Sequence, residues 1–301
     1  MMKLCFIANP ASGSAAQLEA IKPMLQDHPL WLTQQPGDAV RLAARAAQEG
    51  YEAVVAVGGD GTVNEVANGL ITSATNAALG IVPLGTGNDL ARTLGLSNDP
   101  VQALTQLQTG RRAPLDAIAV WHAGNLAYAV NVASGGIAGI VAEQLTSELK
   151  QAWGPLAYLL GTLKVLPDIE PYETLLRLDD EVEQRVRVLN LFVANGRWVA
   201  GGKLVAPHAR VDDGLLDVVI LEMGSVMEMA ALAARFAAGG ALSGPCVHTR
   251  RARRIEVRST PGLAFNVDGE WLTDQPVSFE VLPAQLQVLV GPDYDPAPPA
   301  A

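Results

Sequence analysis

One pattern dominates the first third of the chain: a short apolar run ends in a glycine- or proline-containing loop, and a helix-forming stretch follows. Strands that are apolar throughout are buried on both faces, and their alternation with helices favours a parallel sheet covered by helices. Ligands bind such sheets at the carboxyl ends of the strands, where these loops lie. The predicted strands are 4–8, 30–33, 53–57 and 79–82, and the predicted helices are 15–25, 63–70, one ending near 50 and one starting near 89.

The pattern changes after about Leu115, where short predicted strands are joined by turns. A chain of 301 residues that is 49% hydrophobic can bury the cores of two domains. We therefore predict an α/β domain over 1–115, a β-rich domain over 116–290, and a flexible tail over 291–301, where prolines among small residues cannot build a packed element. The strands of the second domain are predicted at 118–121, 126–132, 175–178, 186–194, 216–221 and 255–258, with helices at 140–149, 155–166 and 226–238.

Composition excludes several classes of protein. A formal net charge of −10 argues against a nucleic-acid binder, whose affinity rests on clustered Lys and Arg. The longest uncharged stretch, 126–142, is broken by polar residues and glycines, so we expect no transmembrane helix. Cys5 and Cys246 form no disulfide framework and no metal-binding spacing, and the start shows no signal peptide. We expect a cytoplasmic protein.

Five arginines cluster late in the chain and allow two interpretations. They could contact phospholipid head groups, at about 1 kcal/mol per residue near the surface. They could equally be a solvated strand edge with its flanking turn. The cluster consists of Arg250, Arg251, Arg253, Arg254 and Arg258.

The loop Gly58-Gly59-Asp60-Gly61-Thr62 follows the third predicted strand and opens a helix. Its glycines allow a phosphate to approach the backbone closely, and the helix N-terminus supplies oriented N–H groups. The carboxylate of Asp60 would repel bare phosphate, so a cation or a basic side chain is expected between them. The alternative is a glycine turn in which Asp60 caps its own helix.

A second loop, Pro83-Leu84-Gly85-Thr86-Gly87-Asn88-Asp89, follows the fourth strand and is again rich in glycine. Two such loops at one sheet edge can hold opposite sides of one nucleotide. Asp89 and Arg92 lie three residues apart on the next predicted helix, close enough to form an ion pair, although a surface pair would contribute little.

Three motifs in this order resemble the catalytic domain of diacylglycerol kinases, in particular the bacterial YegS-like lipid kinases: Asn9-Pro10-Ala11-Ser12-Gly13 and the two glycine loops. The resemblance implies a Rossmann-like N-terminal domain of the phosphofructokinase and NAD-kinase type, a C-terminal antiparallel β-sandwich, and an active cleft between them. It also implies transfer of the γ-phosphoryl group of ATP to a hydroxyl of diacylglycerol, phosphatidylglycerol or a sphingoid-type lipid.

Carried over residue by residue, the resemblance assigns the ATP contacts. Thr33 is supported by Gly37-Asp38-Ala39 just after it, and Asn88 and Asp89 complete the set in the second loop. The predicted nucleotide-binding residues are Thr33, Gly59, Asp60, Gly61, Thr62, Val63, Asn64, Glu65, Thr86, Asn88 and Asp89.

A Mg²⁺ site is predicted near Asp213-Gly214, because such a turn offers a carboxylate and backbone carbonyls, the oxygen ligands that hard divalent cations prefer. The resemblance implies that the ligands are the carbonyls of Arg210 and Leu215 and the side chain of Asp213. A hairpin turn without metal is the alternative.

The segment Phe265-Asn266-Val267-Asp268-Gly269-Glu270 resembles the family's late D-G-E motif. A kinase acting on a hydroxyl needs a carboxylate that accepts or orients the proton. We favour Glu270 as proton acceptor and leave Asp268 open, with Asp116 and Lys164 as supporting candidates. Relatives often carry a lysine near the first motif, where this chain has Ser14, so the partner of Asp60 is left open.

Two other functions are compatible with the motifs. One is a kinase of a soluble substrate related to NAD kinase, and the other is an inactive lipid-binding regulatory protein. For the lipid kinase we expect substrate presented at a membrane surface, peripheral attachment at the inner membrane, and an acyl-chain cleft between the domains, because 126–140 and 155–166 carry little charge.

Overall fold

A computed structural model of the protein describes residues 2–10, 15–25, 28–108, 110–136, 170–268, 270–272 and 276–296. The helices predicted at 140–149 and 155–166, the candidate Lys164, and Ser12 of the first motif lie outside the described residues.

The N-terminal part contains the predicted parallel sheet. Its strands lie in the order β2-β1-β3-β4, and every neighbouring pair is parallel. All residues of β1, β3 and β4 are buried, as expected for a sheet covered on both faces. The strands are β1 (Leu4–Ala8), β2 (Leu30–Leu32), β3 (Ala53–Gly58) and β4 (Ala78–Pro83).

Helices follow the strands of this sheet. They are α1 (Ala15–Ile21), which continues into a 3₁₀ turn (Lys22–Met24), α2 (Asp38–Gln48), α3 (Asp60–Ser73), α4 (Asp89–Thr93) and α5 (Pro100–Leu107). Helix α3 begins three residues before the predicted start, because Gly59 is extended and Asp60 is already helical. Helix α5 was not predicted, although Asp99 caps it and Pro100 occupies its first position, both of which are helix-start signals.

The C-terminal part is antiparallel. Its strands are β5 (Arg112–His122), β6 (Asn125–Ala129), β7 (Val132–Gly136), β8 (Tyr172–Leu178), β9 (Gln184–Ala194), β10 (Trp198–Val199), β11 (Lys203–Leu204), β12 (Leu216–Glu222), β13 (Val247–Ala252), β14 (Arg254–Thr260), β15 (Phe265–Val267), β16 (Glu270–Leu272) and β17 (Val277–Leu289). One further helix, α6 (Val226–Ala237), starts with a capping box between Ser225 and Glu228.

The antiparallel strands enclose their own hydrophobic core. Strand β9 pairs with β7, β8 and β12, while β14 links β8 to β17, which also pairs with β5. Side chains from these strands meet in one buried cluster that includes Leu191, Phe265 and Phe279. The two aromatic rings stack edge to face with centroids 5.0 Å apart. The predicted strand 126–132 is interrupted at 130–131, where the backbone amides donate hydrogen bonds to Asp268.

Strand β17 joins the two parts of the chain. It pairs antiparallel with β5 and β14, and its last residues run parallel to β4, with Val288 opposite Leu79. The residues just after it differ from the predicted flexible tail: Tyr294 is buried in the N-terminal core and the backbone of Gly291 donates to Leu94. Residues 291–296 therefore complete the first domain.

Candidate active site

The two glycine loops pack directly against each other. Strands β3 and β4 are parallel neighbours, so the loops emerge at the same edge, and the amide of Leu84 donates to the carbonyl of Gly58 at 2.9 Å. A Cβ atom on Gly85 would lie only 2.5 Å from the Cα of Gly59. The backbones can approach this closely only because both positions lack side chains.

Asp60 connects the first loop to the second. Its carboxylate oxygens accept hydrogen bonds from the amides of Asn88 at 2.9 Å and Asp89 at 2.8 Å. Asp60 therefore caps α4 and not its own helix α3, whose N-cap is Gly59. Two backbone N–H groups are therefore partners of this carboxylate, and the expectation of a cation between Asp60 and a phosphate stays a prediction.

The second loop is closed by its own asparagine. The Oδ1 atom of Asn88 accepts from the amide of Gly85 at 3.0 Å, and Nδ2 donates to the carbonyl of Gly85 at 2.8 Å. Asn88 has a left-handed backbone (φ 54), which asparagine tolerates better than most residues. A Cβ atom on Gly87 would lie 2.4 Å from Asp60 Oδ2, so this glycine is needed for the contact between the loops.

Asp89 extends the network into the C-terminal domain. Its carboxylate accepts from the amides of Gly201 at 3.0 Å and Gly202 at 2.7 Å. The side chain is buried, and this burial raises the pKa of Asp89 despite the two hydrogen bonds. The ion pair with Arg92 that the spacing allowed is not the main contact of this carboxylate, and the Arg92 guanidinium lies 5.8 Å from the ring centroid of Trp198.

Asp268 lies in the turn between β15 and β16. Val267 pairs with Glu270, and Asp268 just after β15 has a positive φ (46), as residues in tight hairpin turns often do. Its carboxylate accepts from three successive amides, those of Val130 at 2.8 Å, Asn131 at 3.2 Å and Val132 at 3.1 Å. These contacts explain the interruption of the predicted strand 126–132.

The carboxyl group of Asp268 is buried, and this burial raises its pKa to about 6, although the hydrogen bonds from the three amides lower the pKa. The negative charge of Asp60 raises the pKa of Asp268 further, so the two carboxylates lie in one electrostatic environment. Helix α3 reaches the same turn: with its side-chain nitrogen facing Asp268, Asn64 donates to Oδ2 at 3.3 Å. The adjacent Asn68 donates to the carbonyl of Tyr128 at 3.0 Å.

Some of the predicted nucleotide-binding positions are open to a ligand. A Cβ atom on Gly61 would meet nothing within 4 Å, Gly61 is exposed, and so is Thr86. The N-cap of α3 is Gly59, which has no side chain to cap the helix, so the first N–H groups of α3 receive no cap from that position. The opening therefore has the character of an anion site at a helix N-terminus between two glycine loops.

Other predicted positions have structural contacts. The Glu65 carboxylate accepts from the amide of Ala39 at 3.1 Å, next to the start of α2. Val63 belongs to the hydrophobic core and Thr62 is also buried. Thr33 is buried, and its amide donates to the carbonyl of Ala8 at 2.9 Å.

The predicted Mg²⁺ site lies on the Asp213 turn, where the guanidinium of Arg251 is already bound. One oxygen of Asp213 accepts from the amide of Leu215 at 3.1 Å, and the other is paired with the guanidinium of Arg251. Arg251 also lies 3.6 Å from Asp217, whose burial raises its pKa to about 6. In this arrangement the residues do not fit Mg²⁺, because a metal ion would have to displace Arg251.

Asp116 anchors the Asp213 turn through hydrogen bonds from backbone amides. It is buried, and it accepts from the amides of Gly214 at 2.7 Å and Ala284 at 2.6 Å. Burial raises the pKa of Asp116. Asp116 therefore holds the Asp213 turn against β17.

Sequence reasoning missed two contributors to the site. The backbone amides of Gly201 and Gly202 donate hydrogen bonds to Asp89, and the only sequence signal for this contact is the pair of glycines itself. The amides of residues 130–132 have no side-chain signal at all, because every non-proline residue carries the same N–H group.

The arginine cluster forms ion pairs with neighbouring carboxylates. Arg250 pairs with Glu181 at 3.1 Å, Arg254 with Asp180 at 3.3 Å, and Arg258 with Glu183. Arg251 pairs with Asp213. This arrangement favours the interpretation of a solvated strand edge, because the acidic partners offset the positive charge that a phospholipid surface would attract.

A surface hollow of about 450 Å³ lies on the C-terminal domain between β8, β12 and β13. Leu176 and Ile220 contribute to its lining, and Glu181, Glu222 and Arg250 add charge. It includes none of the residues of the glycine-loop network, so we do not assign it to that site. The predicted acyl-chain cleft remains a prediction, since much of it falls on residues outside the described ranges.

Comparisons with known proteins agree with this architecture. The family model of the diacylglycerol kinase catalytic domain matches residues 3–120, and that of the YegS C-terminal NAD kinase beta sandwich-like domain matches residues 130–290. A crystal structure of a diacylglycerol kinase from Bacillus anthracis superposes with a TM-score of 0.75 at 22% identity, covering 97% of this chain and 98% of that one. It supports the predicted fold: a Rossmann-like domain followed by an antiparallel β-sandwich.

Two curated relatives are more similar in sequence. The diacylglycerol kinase of Staphylococcus saprophyticus is 33% identical over 263 residues, which is 87% of this chain and 85% of the relative. A Staphylococcus aureus diacylglycerol kinase is 32% identical over 263 residues, 87% of this chain and 82% of the relative. The chain therefore belongs to the diacylglycerol kinase catalytic-domain family, in its YegS-like branch.

Proposed function

We propose that this protein is an ATP-dependent lipid kinase that transfers the γ-phosphoryl group of ATP to a lipid hydroxyl. Diacylglycerol is the first candidate substrate, because the curated relatives are named diacylglycerol kinases. The observation that carries the proposal is that Asp60 joins the two glycine loops, while Asp89 and Asn64 connect them to the second domain, Asp89 at the Gly201–Gly202 turn and Asn64 at the Asp268 turn.

The nucleotide phosphates bind, in this proposal, at the open N-terminus of α3. Gly59 and Gly61 let the phosphates approach the backbone, and Thr86 faces them from the second loop. Asp60 and Asp89 act by fixing the positions of the two loops and the Gly201–Gly202 turn relative to one another. Since each carboxylate already accepts two amides, positioning is their main contribution.

Mg²⁺ would arrive with the nucleotide, and when bound it offsets charge on the phosphoryl oxygens. A carboxylate has about four lone-pair sites, so Asp60 keeps acceptor capacity toward such an ion after its two hydrogen bonds. The Asp213 turn is not part of this proposal, because Arg251 is bound there.

We assign the proton acceptor to Glu270, with Asp268 as the alternative. Asp268 Oδ2 already faces the amides of Val130 and Asn131 and the side chain of Asn64, which suits a carboxylate that positions the turn. Its raised pKa of about 6 would still allow it to accept a proton near neutral pH. Glu270 follows two residues later on β16.

The test is phosphoryl transfer from labelled ATP to a panel of lipids, comparing wild type with Glu270→Gln and Asp268→Asn. General base catalysis contributes about 10²–10⁴-fold, so Glu270→Gln should lower kcat by at least about 100-fold with little change in KM for ATP. Glu181→Gln is the matched control, because Glu181 is half exposed, pairs with Arg250 and lines the hollow that contains none of the glycine-loop residues, so this variant should keep full activity.

The pH profile separates the two carboxylates. If Asp268 were the acceptor, kcat would fall as the pH drops through about 6, because protonation removes its acceptor lone pair, and Glu270→Gln would stay active. Turnover of NAD or another soluble alcohol, without turnover of any lipid, would contradict the lipid assignment. Near-zero turnover equal in wild type and Asp60→Ala would indicate a regulatory protein.

We further propose that the protein works at the cytoplasmic face of the inner membrane, where a lipid substrate would be presented to it. No helix among the described residues is long and apolar enough to cross a membrane, which fits peripheral attachment. Fractionation of cells into membrane and soluble pools tests this location.

A further inference from the structure

A lipid kinase has to meet its substrate at a bilayer, and the charges of this protein do not provide an obvious means. The net charge of −10 repels anionic lipid, and four of the clustered arginines are paired with carboxylates. Long-range electrostatic attraction is therefore a poor candidate for membrane attachment, and an exposed apolar element is the alternative to look for.

The hairpin of β5 and β6 carries such an element. Trp121 and Leu126 are directly opposite each other across the two strands, so their side chains lie on the same face. Trp121 is 46% exposed and Leu126 is 38% exposed. Tryptophan is enriched where proteins meet the membrane–water interface, because its ring is apolar and its indole N–H remains hydrated.

The charge pattern separates this pair from most other exposed apolar side chains. No Asp, Glu, Lys or Arg occurs from 117 to 136, so β6, β7 and the part of β5 after Asp116 carry no carboxylate that would repel a phospholipid surface. By contrast, the more exposed Val182 lies between Glu181 and Glu183, and Met227 is followed by Glu228. Desolvating those carboxylates would oppose insertion.

The hairpin is also connected to the candidate active site. Strand β6 runs from Asn125 toward Val130, whose amide is the first of the three that bind Asp268. Leu126 and Val130 are four residues apart, which is roughly 13 Å along an extended strand at about 3.3 Å per residue. An apolar tip at this distance would bring the Asp268 turn to the level of lipid head groups.

We infer that Trp121 and Leu126 form a membrane-docking tip that inserts into the interfacial layer of the bilayer and delivers the Asp268 turn to its lipid substrate. That the tip serves to reach a lipid substrate rests on the proposed lipid kinase function. Its location rests on the exposure of the two side chains and on the absence of nearby charge in the sequence. Docking of this kind depends on apolar contact, so it is insensitive to salt and to the anionic lipid content of the membrane.

The experiment is co-sedimentation of the full chain with phosphatidylcholine vesicles, with and without phosphatidylglycerol, in low and high salt. Wild type should bind neutral vesicles, and high salt should not release it. Trp121→Ser combined with Leu126→Ser should weaken the partition at least about tenfold, because two apolar anchors are lost. Met227→Ser and Val182→Ser, at apolar positions that are more exposed than the docking pair, are the controls and should bind like wild type.

A second readout needs no destabilising change. Brominated phosphatidylcholine should quench part of the wild-type tryptophan fluorescence, and Trp121→Phe should lose that quenched part while keeping its vesicle affinity. Unchanged partition of the double variant, release of wild type by salt, or equal quenching in Trp121→Phe would overturn the inference. So would a dimer of the free protein that Trp121→Ser dissociates, because the pair would then face a second copy.

Kinase assays keep this inference separate from the proposed function. The double variant should lose activity on long-chain diacylglycerol in vesicles but keep it on a dispersed short-chain diacylglycerol, which needs no docking. If wild type phosphorylates neither lipid, the proposed function fails, while vesicle binding still decides the docking tip.

Discussion

At the scale of single residues, the acidic side chains of the site bind backbone amides. Asp60, Asp89, Asp116 and Asp268 each accept at least two main-chain N–H groups from segments distant in sequence. A carboxylate hydrogen-bonded to N–H groups is a strong, directional contact. These residues therefore act first as connectors between loops, and any direct contact with ATP is added to that role. Asp213 differs, because one of its oxygens pairs with a side-chain cation and its one amide donor, Leu215, is only two residues away.

Replacing Arg251 tests whether it takes the place of a metal ion. Arg251→Ala should lower the free energy of unfolding by roughly 1–3 kcal/mol, since it leaves Asp213 and the buried Asp217 without their cation. Mg²⁺ should then raise the unfolding temperature of this variant more than that of wild type, measured by thermal unfolding with and without the ion.

Arg250→Ala is the matched control, because Arg250 lies on the same strand and its ion pair with Glu181 is half exposed. This variant should show no added response to Mg²⁺. An equal Mg²⁺ effect in wild type and Arg251→Ala would contradict the prediction and would show that a metal ion binds beside the arginine.

At the scale of elements, the site depends on where α3 and α4 begin. Helix α3 starts at Asp60 directly after β3, and α4 starts at Asp89 with the Asp60 carboxylate as its cap. We propose that the start of α3, which no side chain of the described residues caps, faces the nucleotide. Glycines differ in function along these loops: Gly87 is required by the contact with Asp60, whereas Gly61 borders open space.

Alanine at position 61 should separate binding from folding. Because the new methyl group meets no atom of the described residues within 4 Å and alanine favours helix over glycine, Gly61→Ala should be as stable as wild type or up to about 1 kcal/mol more stable. The methyl group would lie where we place the phosphates, so kcat/KM for ATP should fall at least about tenfold. Urea unfolding and steady-state kinetics measure the two effects.

Gly87→Ala provides the contrast, since its Cβ would lie 2.4 Å from Asp60 Oδ2 and should lower stability as well as activity. If Gly61→Ala binds and uses ATP like wild type, the nucleotide does not approach the start of α3 and the proposed site is wrong.

At the scale of the whole molecule, the second domain completes the first. Strand β17 leaves the antiparallel sheets and runs beside β4, and the residues after it return to the N-terminal core. Tyr294 is buried there, and its hydroxyl donates to Asp212 at 3.3 Å. The core of the N-terminal domain therefore needs the C-terminal end of the chain.

Tyr294→Ala should lower the free energy of unfolding by about 3 kcal/mol or more, as expected when a large buried aromatic is truncated. Tyr294→Phe keeps the ring and loses one hydrogen bond, so it should cost only about 1 kcal/mol. Denaturant unfolding measures both. Equal, small effects would mean that residues 291–296 add little to the core, as the prediction of a flexible tail implied.

The sequence by itself determined the alternation of buried strands and helices, the two glycine loops, and the D-G-E turn, because hydrophobic period and glycine are local signals. Only the tertiary structure decided what the acids contact: Asp268 meets the amide of Val130 across 138 positions, and Asp89 meets that of Gly201 across 112. The physical reason is that these partners are main-chain N–H groups, which nearly all residues share, so no residue type marks them before the chain is folded.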